Sequence, residues 1–140
     1  MTVIVCVDDR GGMRFHGHRQ SCDRVLCADV LRLCGRVRMN AASAALFQDC
    51  DGQIQVCEDF LQTAGPGDAC FVEDGPLSGL EIDTLILYRW NRVYPGDVFL
   101  DFRPEAQGMT LVSSEEFSGS SHKRITREIW RKHHGETQRP

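Results

Sequence analysis

The sequence predicts one α/β domain: a mostly parallel sheet with antiparallel strands at its C-terminal end and flanking helices. Three observations carry this. Val3 to Val7 is a continuous apolar run bounded by Asp8-Asp9 and Gly11-Gly12, the pattern of a strand buried on both faces, as parallel sheets require. A helical stretch follows it directly, as a βα unit demands. In the C-terminal third, Thr84 to Tyr88, Val98 to Phe102, Met109 to Val112 and Ile125 to Trp130 are apolar runs separated by polar loops, so strand succeeds strand without a helix between.

Taken in order, Ser21 stands where an N-cap belongs, ahead of Cys22, Val25, Leu26, Val30, Leu33 and Cys34 at helical spacing, with Gly35 as the stop. Arg36 to Met39 reads as a short strand and Ala41 to Phe47 as an alanine-rich helix, with Ser43 near its start. Asp49-Cys50-Asp51-Gly52 turns the chain, Ile54 to Val56 is a short strand and Glu58 to Thr63 a short helix. Gly65-Pro66-Gly67-Asp68 is a turn before a strand from Ala69 to Val72, and Glu73-Asp74-Gly75-Pro76 breaks the chain again.

The length of 140 residues suits one domain with a single core. Residues 1–132 are expected to form it, with 133–140 as a polar tail. A hydrophobic fraction of 41% and a charged fraction of 26% are ordinary for a globular chain. No apolar run nears the roughly 20 residues of a membrane helix, and Met1 to Val7 lacks the basic n-region of a secretory signal. Seven cysteines, an odd number, therefore predict reduced thiols and a cytoplasmic location. A net charge of −4 argues against nucleic-acid binding. The basic run from Lys123 to Lys132, with His122 and two later histidines, reads as a solvated strand and tail.

Ile4-Val5-Cys6-Val7-Asp8 leading to Gly12-Met13, then a polar loop and Asp23 at the head of a helix, resembles the first strand, flexible loop and substrate helix of the dihydrofolate reductase family. Leu85-Ile86-Leu87-Tyr88 through Gly96-Asp97, Thr110 to Val112 with Glu115-Glu116-Phe117, and Ile125 to Trp130 resemble that family's end in order and spacing. The resemblance implies a dihydrofolate reductase-like fold. It also implies that Asp23 is the carboxylate that binds a pterin ring and assists its protonation, and that Tyr88 stands where a threonine contacts substrate.

The middle departs from the family. Arg38-Met39-Asn40-Ala41-Ala42-Ser43 falls where a Gly-Arg-x-Thr motif binds cofactor phosphate, and Ala41 takes the arginine's place, removing a bidentate donor. Gln48 to Gln55 is too short for the strand and Ser-rich loop that flank the adenine ribose. Phe71-Val72 runs into Glu73-Asp74-Gly75 where a glycine pair would approach the pyrophosphate, and two carboxylates there repel it. These departures predict no NADPH bound in the family's way, so no cofactor is assigned and catalysis is left open.

The candidate site is a cleft between Asp23 and Tyr88 for a pterin, nucleotide or similar planar ligand. A carboxylate beside apolar residues there would have a raised pKa and serve as acid or hydrogen-bond partner; alternatively, Asp23 only stabilises a helix dipole. Met13 and Phe15 would wall a flat ligand, Arg19 would meet an anion, and Gln20 adds donors. Asp8 lies at the carboxyl end of the first strand, where open α/β sheets place ligands. Tyr88 and Trp90 offer stacking, or merely alternate along a half-buried strand.

Two other readings stay open. One is an interaction or regulatory protein on the same fold, with a homodimer able to complete a site across its interface. The other is a metal-dependent hydrolase or nuclease using His16, His18 and Asp23, since the chain is also similar to short bacterial proteins labelled ribonuclease Z. There, however, an Asp-His pair should follow the His-x-His, and Arg19-Gln20-Ser21 follow instead. No metal is assigned, because Cys22, Cys27 and Cys34 also lack zinc-ligand spacing. Ser120-Ser121-His122 near Glu115-Glu116 has the residue types of a nucleophile and base, in what reads as a solvated loop.

Overall fold

The structure is a computed structural model, and residues 1–132 are described. Positions 133–140, the expected tail, lie outside them. A seven-stranded sheet dominates, in the order β5-β4-β6-β1-β7-β10-β9, and a three-stranded sheet β3-β2-β8 lies apart from it. The large sheet comprises β1 (Thr2–Val7), β4 (Arg36–Met39), β5 (Gln53–Val56), β6 (Ala69–Phe71), β7 (Thr84–Arg89), β9 (Met109–Phe117) and β10 (Ile125–Lys132). The small one comprises β2 (Gly12–Phe15), β3 (His18–Arg19) and β8 (Val98–Phe99).

β1 is the central strand, parallel to β6 on one side and β7 on the other. β4 is parallel to both β5 and β6. β10 runs antiparallel to β7 and to β9. The predicted architecture, mostly parallel with an antiparallel C-terminal end, is therefore the observed one.

Period-two alternation along β1 divides the core. Val3, Val5 and Val7 pack on one face with Leu77, Leu85 and Leu87. Ile4 faces the other side with Leu26, Val30, Phe47 and Tyr88. Each such side chain, fully withdrawn from water, contributes about 1.5–3 kcal/mol. The second face is covered by helix α1 (Arg24–Cys34), which buries Leu26, Cys27, Val30 and Leu31. A short helix α2 (Ala41–Ala44) continues into a 3-10 turn at Ala45–Phe47, which buries Phe47. The first face is covered by loop segments that include Phe60, Leu77, Ile82 and Phe102.

Several boundaries differ from expectation for identifiable reasons. α1 is capped by Asp23, whose side chain accepts from the Val25 and Leu26 N–H groups, and not by Ser21; Gly35 does end it, at φ 74°. Asn40 caps α2 by accepting from Ser43 N–H. Glu58 to Thr63 forms turns rather than a helix, and its Phe60 carbonyl accepts from the buried Arg38 guanidinium. β9 extends to Phe117 since Glu115 and Glu116 continue its pairing with β10. The polar loop after β1 contains the β2–β3 hairpin. No helix among the described residues is long and apolar enough to cross a membrane.

Candidate functional site

Parallel strands β1 and β6 end side by side, at Cys6-Val7 and at Phe71, and the N-terminus of α1 packs against them. A narrow cleft with a free volume of about 20 Å³ lies between these ends and the β2–β3 hairpin. Its walls are apolar at Met13, Leu26, Phe71 and Trp90, and polar at Arg19, Gln20 and Ser21. Cys6 and Cys27 also line it. Burial pushes both thiols up, Cys27 to about 12, with nearby Cys50 and Cys22 adding to the shift there. They remain protonated and act as small apolar surface.

Asp23 is at the cleft, but its carboxylate is committed. Oδ1 accepts from the N–H groups of Val25, Leu26 and Ser120 at 2.9, 3.2 and 3.0 Å. Oδ2 accepts from Ser121 N–H at 2.9 Å, from the Ser121 hydroxyl at 3.3 Å and from His122 Nδ1 at 2.9 Å. The side chain is wholly buried. Burial alone raises its pKa, yet the Ser121, His122, Ser120 and Leu26 hydrogen bonds outweigh that and hold it well below the usual carboxylate range. The raised pKa expected from the sequence is corrected: a carboxylate with this many donors stays ionised and is no proton donor.

His122 is one of the residues that the sequence placed wrongly. It is 7% exposed, not a solvated loop residue. Its ring stacks on Trp90, with centroids 4.5 Å apart. Nε2 faces the Ser21 hydroxyl at 2.8 Å and the Tyr94 hydroxyl at 3.2 Å. Because the ionised Asp23 only accepts, Nδ1 carries the proton, an assignment made from the hydrogen-bond network. In the neutral ring Nε2 is then an acceptor for Ser21. Nothing local announces this, since the partners are 99 residues apart; the one available signal was a Ser-Ser-His following a glycine.

The other predicted residues divide. Met13, Arg19, Gln20 and Trp90 line the cleft with Asp23. Arg19 is not free to meet an anion: it donates to Glu73 through Nε at 2.6 Å and Nη2 at 2.9 Å, and Glu73 also accepts from the Ser43 hydroxyl at 2.7 Å. Gln20 Nε2 donates to Pro95 O at 3.1 Å and to Asp8 at 3.3 Å, leaving a buried Oε1 unpartnered. Asp8 is fully buried and braces its own loop, accepting from the N–H groups of Arg10, Gly12 and Tyr94. Phe15 lies outside the lining and stacks on His16.

Tyr88 is corrected. It is fully buried in the core beneath α1 and does not line the cleft. Its hydroxyl donates to Asp29 at 2.7 Å, and Asp29 is paired with Arg127 at 2.7 Å. Register explains this: Tyr88 pairs with Cys6 across the sheet and points to the face that α1 covers. Trp90, two residues on, reaches the cleft on that same face.

The proposed metal set is not assembled either. His16 and His18 are exposed on the β2–β3 hairpin, while the Asp23 carboxylate is filled by protein donors. Among the described residues no group of three His, Cys, Asp or Glu could hold a metal ion.

Over 93% of this chain and 94% of the other, the structure superposes on dihydrofolate reductase from Enterococcus faecalis complexed with NADP(H) and RAB-propyl, with a TM-score of 0.61 at 10% sequence identity. The fold is that of dihydrofolate reductase. No protein-family model matches the chain, and no curated protein matches it in sequence. At this identity the shared property is the reductase fold, its central parallel strands and its antiparallel C-terminal end, and the likeness carries no residue roles with it.

Proposed function

We propose that the protein binds a small planar ligand, of pterin or nucleobase type, in the cleft at the ends of β1 and β6, and does not take up NADPH in the reductase manner. The observation that carries this is the cleft itself, with apolar walls at Met13, Phe71 and Trp90 and polar groups at Arg19, Gln20 and Ser21. The solved reductase of the same fold is complexed with NADP(H).

Against conventional cofactor use stand three features of this chain. Ala41 offers no guanidinium. Glu73 is held by Arg19 and Ser43 where β6 runs out, so Arg19 is spent on that carboxylate and is not available to a pyrophosphate. β5 (Gln53–Val56) closes that edge of the sheet only a few residues after the Ala45–Phe47 turn.

Thermal unfolding of the full chain with folate, dihydrofolate, guanosine and NADPH tests the reading. At about 100 times its dissociation constant a ligand adds about 2.7 kcal/mol, so a pterin or nucleobase should raise Tm while NADPH leaves it unchanged. If no heterocycle shifts Tm, the cleft is not a ligand site and a non-catalytic interaction protein becomes the better reading.

A further inference from the structure

We infer that Ser21, His122 and Asp23 form a nucleophilic relay, and that the protein forms a covalent acyl-Ser21 intermediate with small activated carboxylic esters or thioesters. The inference goes beyond ligand binding and does not rest on it. Asp23 Oδ2 accepts from His122 Nδ1 at 2.9 Å, and His122 Nε2 is 2.8 Å from Ser21 Oγ. This is the order of contacts by which an acid fixes an imidazole so that its far nitrogen takes a hydroxyl proton.

Each member is held as the chemistry needs. The Asp23 carboxylate is buried and kept ionised by backbone donors, so the imidazole is fixed in the Nδ1–H tautomer. Trp90 stacks on the ring and sets its plane. Ser21 lines the cleft, on a segment leading into the capped N-terminus of α1. The competing nucleophiles in the same walls, Cys6 and Cys27, are held as thiols by burial.

The step balances without any cofactor. Ser21 Oγ attacks the carbonyl carbon as its proton passes to His122 Nε2, and the C–O or C–S bond to the leaving group breaks as that proton moves to the departing alcohol or thiol. Water then repeats the sequence on the acyl-Ser21, releasing the acid. Met13, Leu26 and Phe71 favour an apolar acyl group.

An alkyl fluorophosphonate tests this directly, because it forms an Oγ–P bond with an activated serine and expels fluoride. The full chain should gain one phosphonyl group by intact mass, mapped to the peptide containing Ser21. Labelling should be lost in Ser21→Ala, slow at least 100-fold in His122→Asn, and remain unchanged in Ser78→Ala, whose serine is bonded to Asp101. Ser21→Ala should keep the wild-type Tm, since Tyr94 still meets Nε2. Hydrolysis of p-nitrophenyl acetate should fall at least tenfold in Ser21→Ala. No adduct, an adduct on another residue, or equal labelling of Ser21→Ala would overturn the relay, and a heterocycle-induced Tm shift persisting alongside such a result would leave the ligand reading standing.

Discussion

Asp23 Oδ2 lies 2.9 Å from His122 Nδ1, joining the first turn of α1 to the loop between β9 and β10. One carboxylate thus caps a helix, anchors the Ser120–His122 backbone and orients an imidazole. Asp23→Asn keeps a competent helix cap but turns an amide N–H₂ toward the Ser121 N–H and His122 Nδ1–H. The loss should be about 3 kcal/mol, from a charge-assisted network left with opposed donors. Urea unfolding of the two proteins at pH 7 measures it, and a loss under about 1 kcal/mol would contradict this account of the loop.

Acid should unfold the protein from the same cause. Asp23, Asp29 and Asp8 all have folded pKa values lowered below the ordinary range; burial opposes this, and hydrogen bonds from Ser121, Tyr88 and Tyr94 respectively lead the lowering. The unfolded carboxyl titrates near pH ~3.9. A depressed folded pKa gives stability that is fully present above that pH and lost as pH falls toward the folded value. The urea midpoint should be flat from pH 7 to 5 and drop steeply toward pH 3, with a shallower drop in Asp23→Asn.

Gly119 is required for space, not for backbone angle. A Cβ there would run into the Asp23 carboxylate. Gly119→Ala should therefore cost about 1–3 kcal/mol by overpacking and displace the His122 ring from Trp90. A weakened tryptophan near-ultraviolet dichroism band, with the far-ultraviolet spectrum retained, would report that displacement.

What the sequence disclosed follows from the range of the forces involved. β1 and β7 were legible because burial on both faces leaves a continuous apolar run, and the end of α1 because Gly35 serves a local need. Asp23 was legible as a candidate, but its state was not. Its donors from Ser120, Ser121 and His122 come from the far end of the chain, and only the β7–β10–β9 pairing brings them in. Tyr88 was misplaced for a similar reason: alternation puts it and Trp90 on one face, but only the position of α1 decides which is covered and which reaches the cleft. Glu58 to Thr63 reads as helical from its own residues but forms turns, its Phe60 carbonyl bonded to the Arg38 guanidinium from a strand about twenty residues earlier.

Tyr88→Phe separates the core from the cleft. The phenol donates to Asp29, which keeps Arg127 and Arg32 as partners, so the substitution should cost about 0.5–1.5 kcal/mol. Since Tyr88 does not line the cleft, fluorophosphonate labelling and any heterocycle-induced Tm shift should match wild type. A loss of either, with Tm otherwise maintained, would return Tyr88 to the site.

The seven thiols are all free but are not alike. Cys22 alone is exposed, while Cys27 and Cys70 are buried and the other four are intermediate. The Cys34 thiol, like that of Cys27, is pushed up by burial, to about 11, with Asp29 adding to it, and thiolate is the reactive form. An aromatic disulfide reagent at pH 8 should therefore show Cys22 as the fastest thiol, its phase absent in Cys22→Ser. The buried Cys27 and Cys70 should react only as fast as the protein opens, the intermediate four at rates between, and all seven at once in urea. Fast reaction of Cys27, on the buried face of α1, in the native protein would mean that the sheet's second face is open in solution, with α1 lifted from the strands it covers.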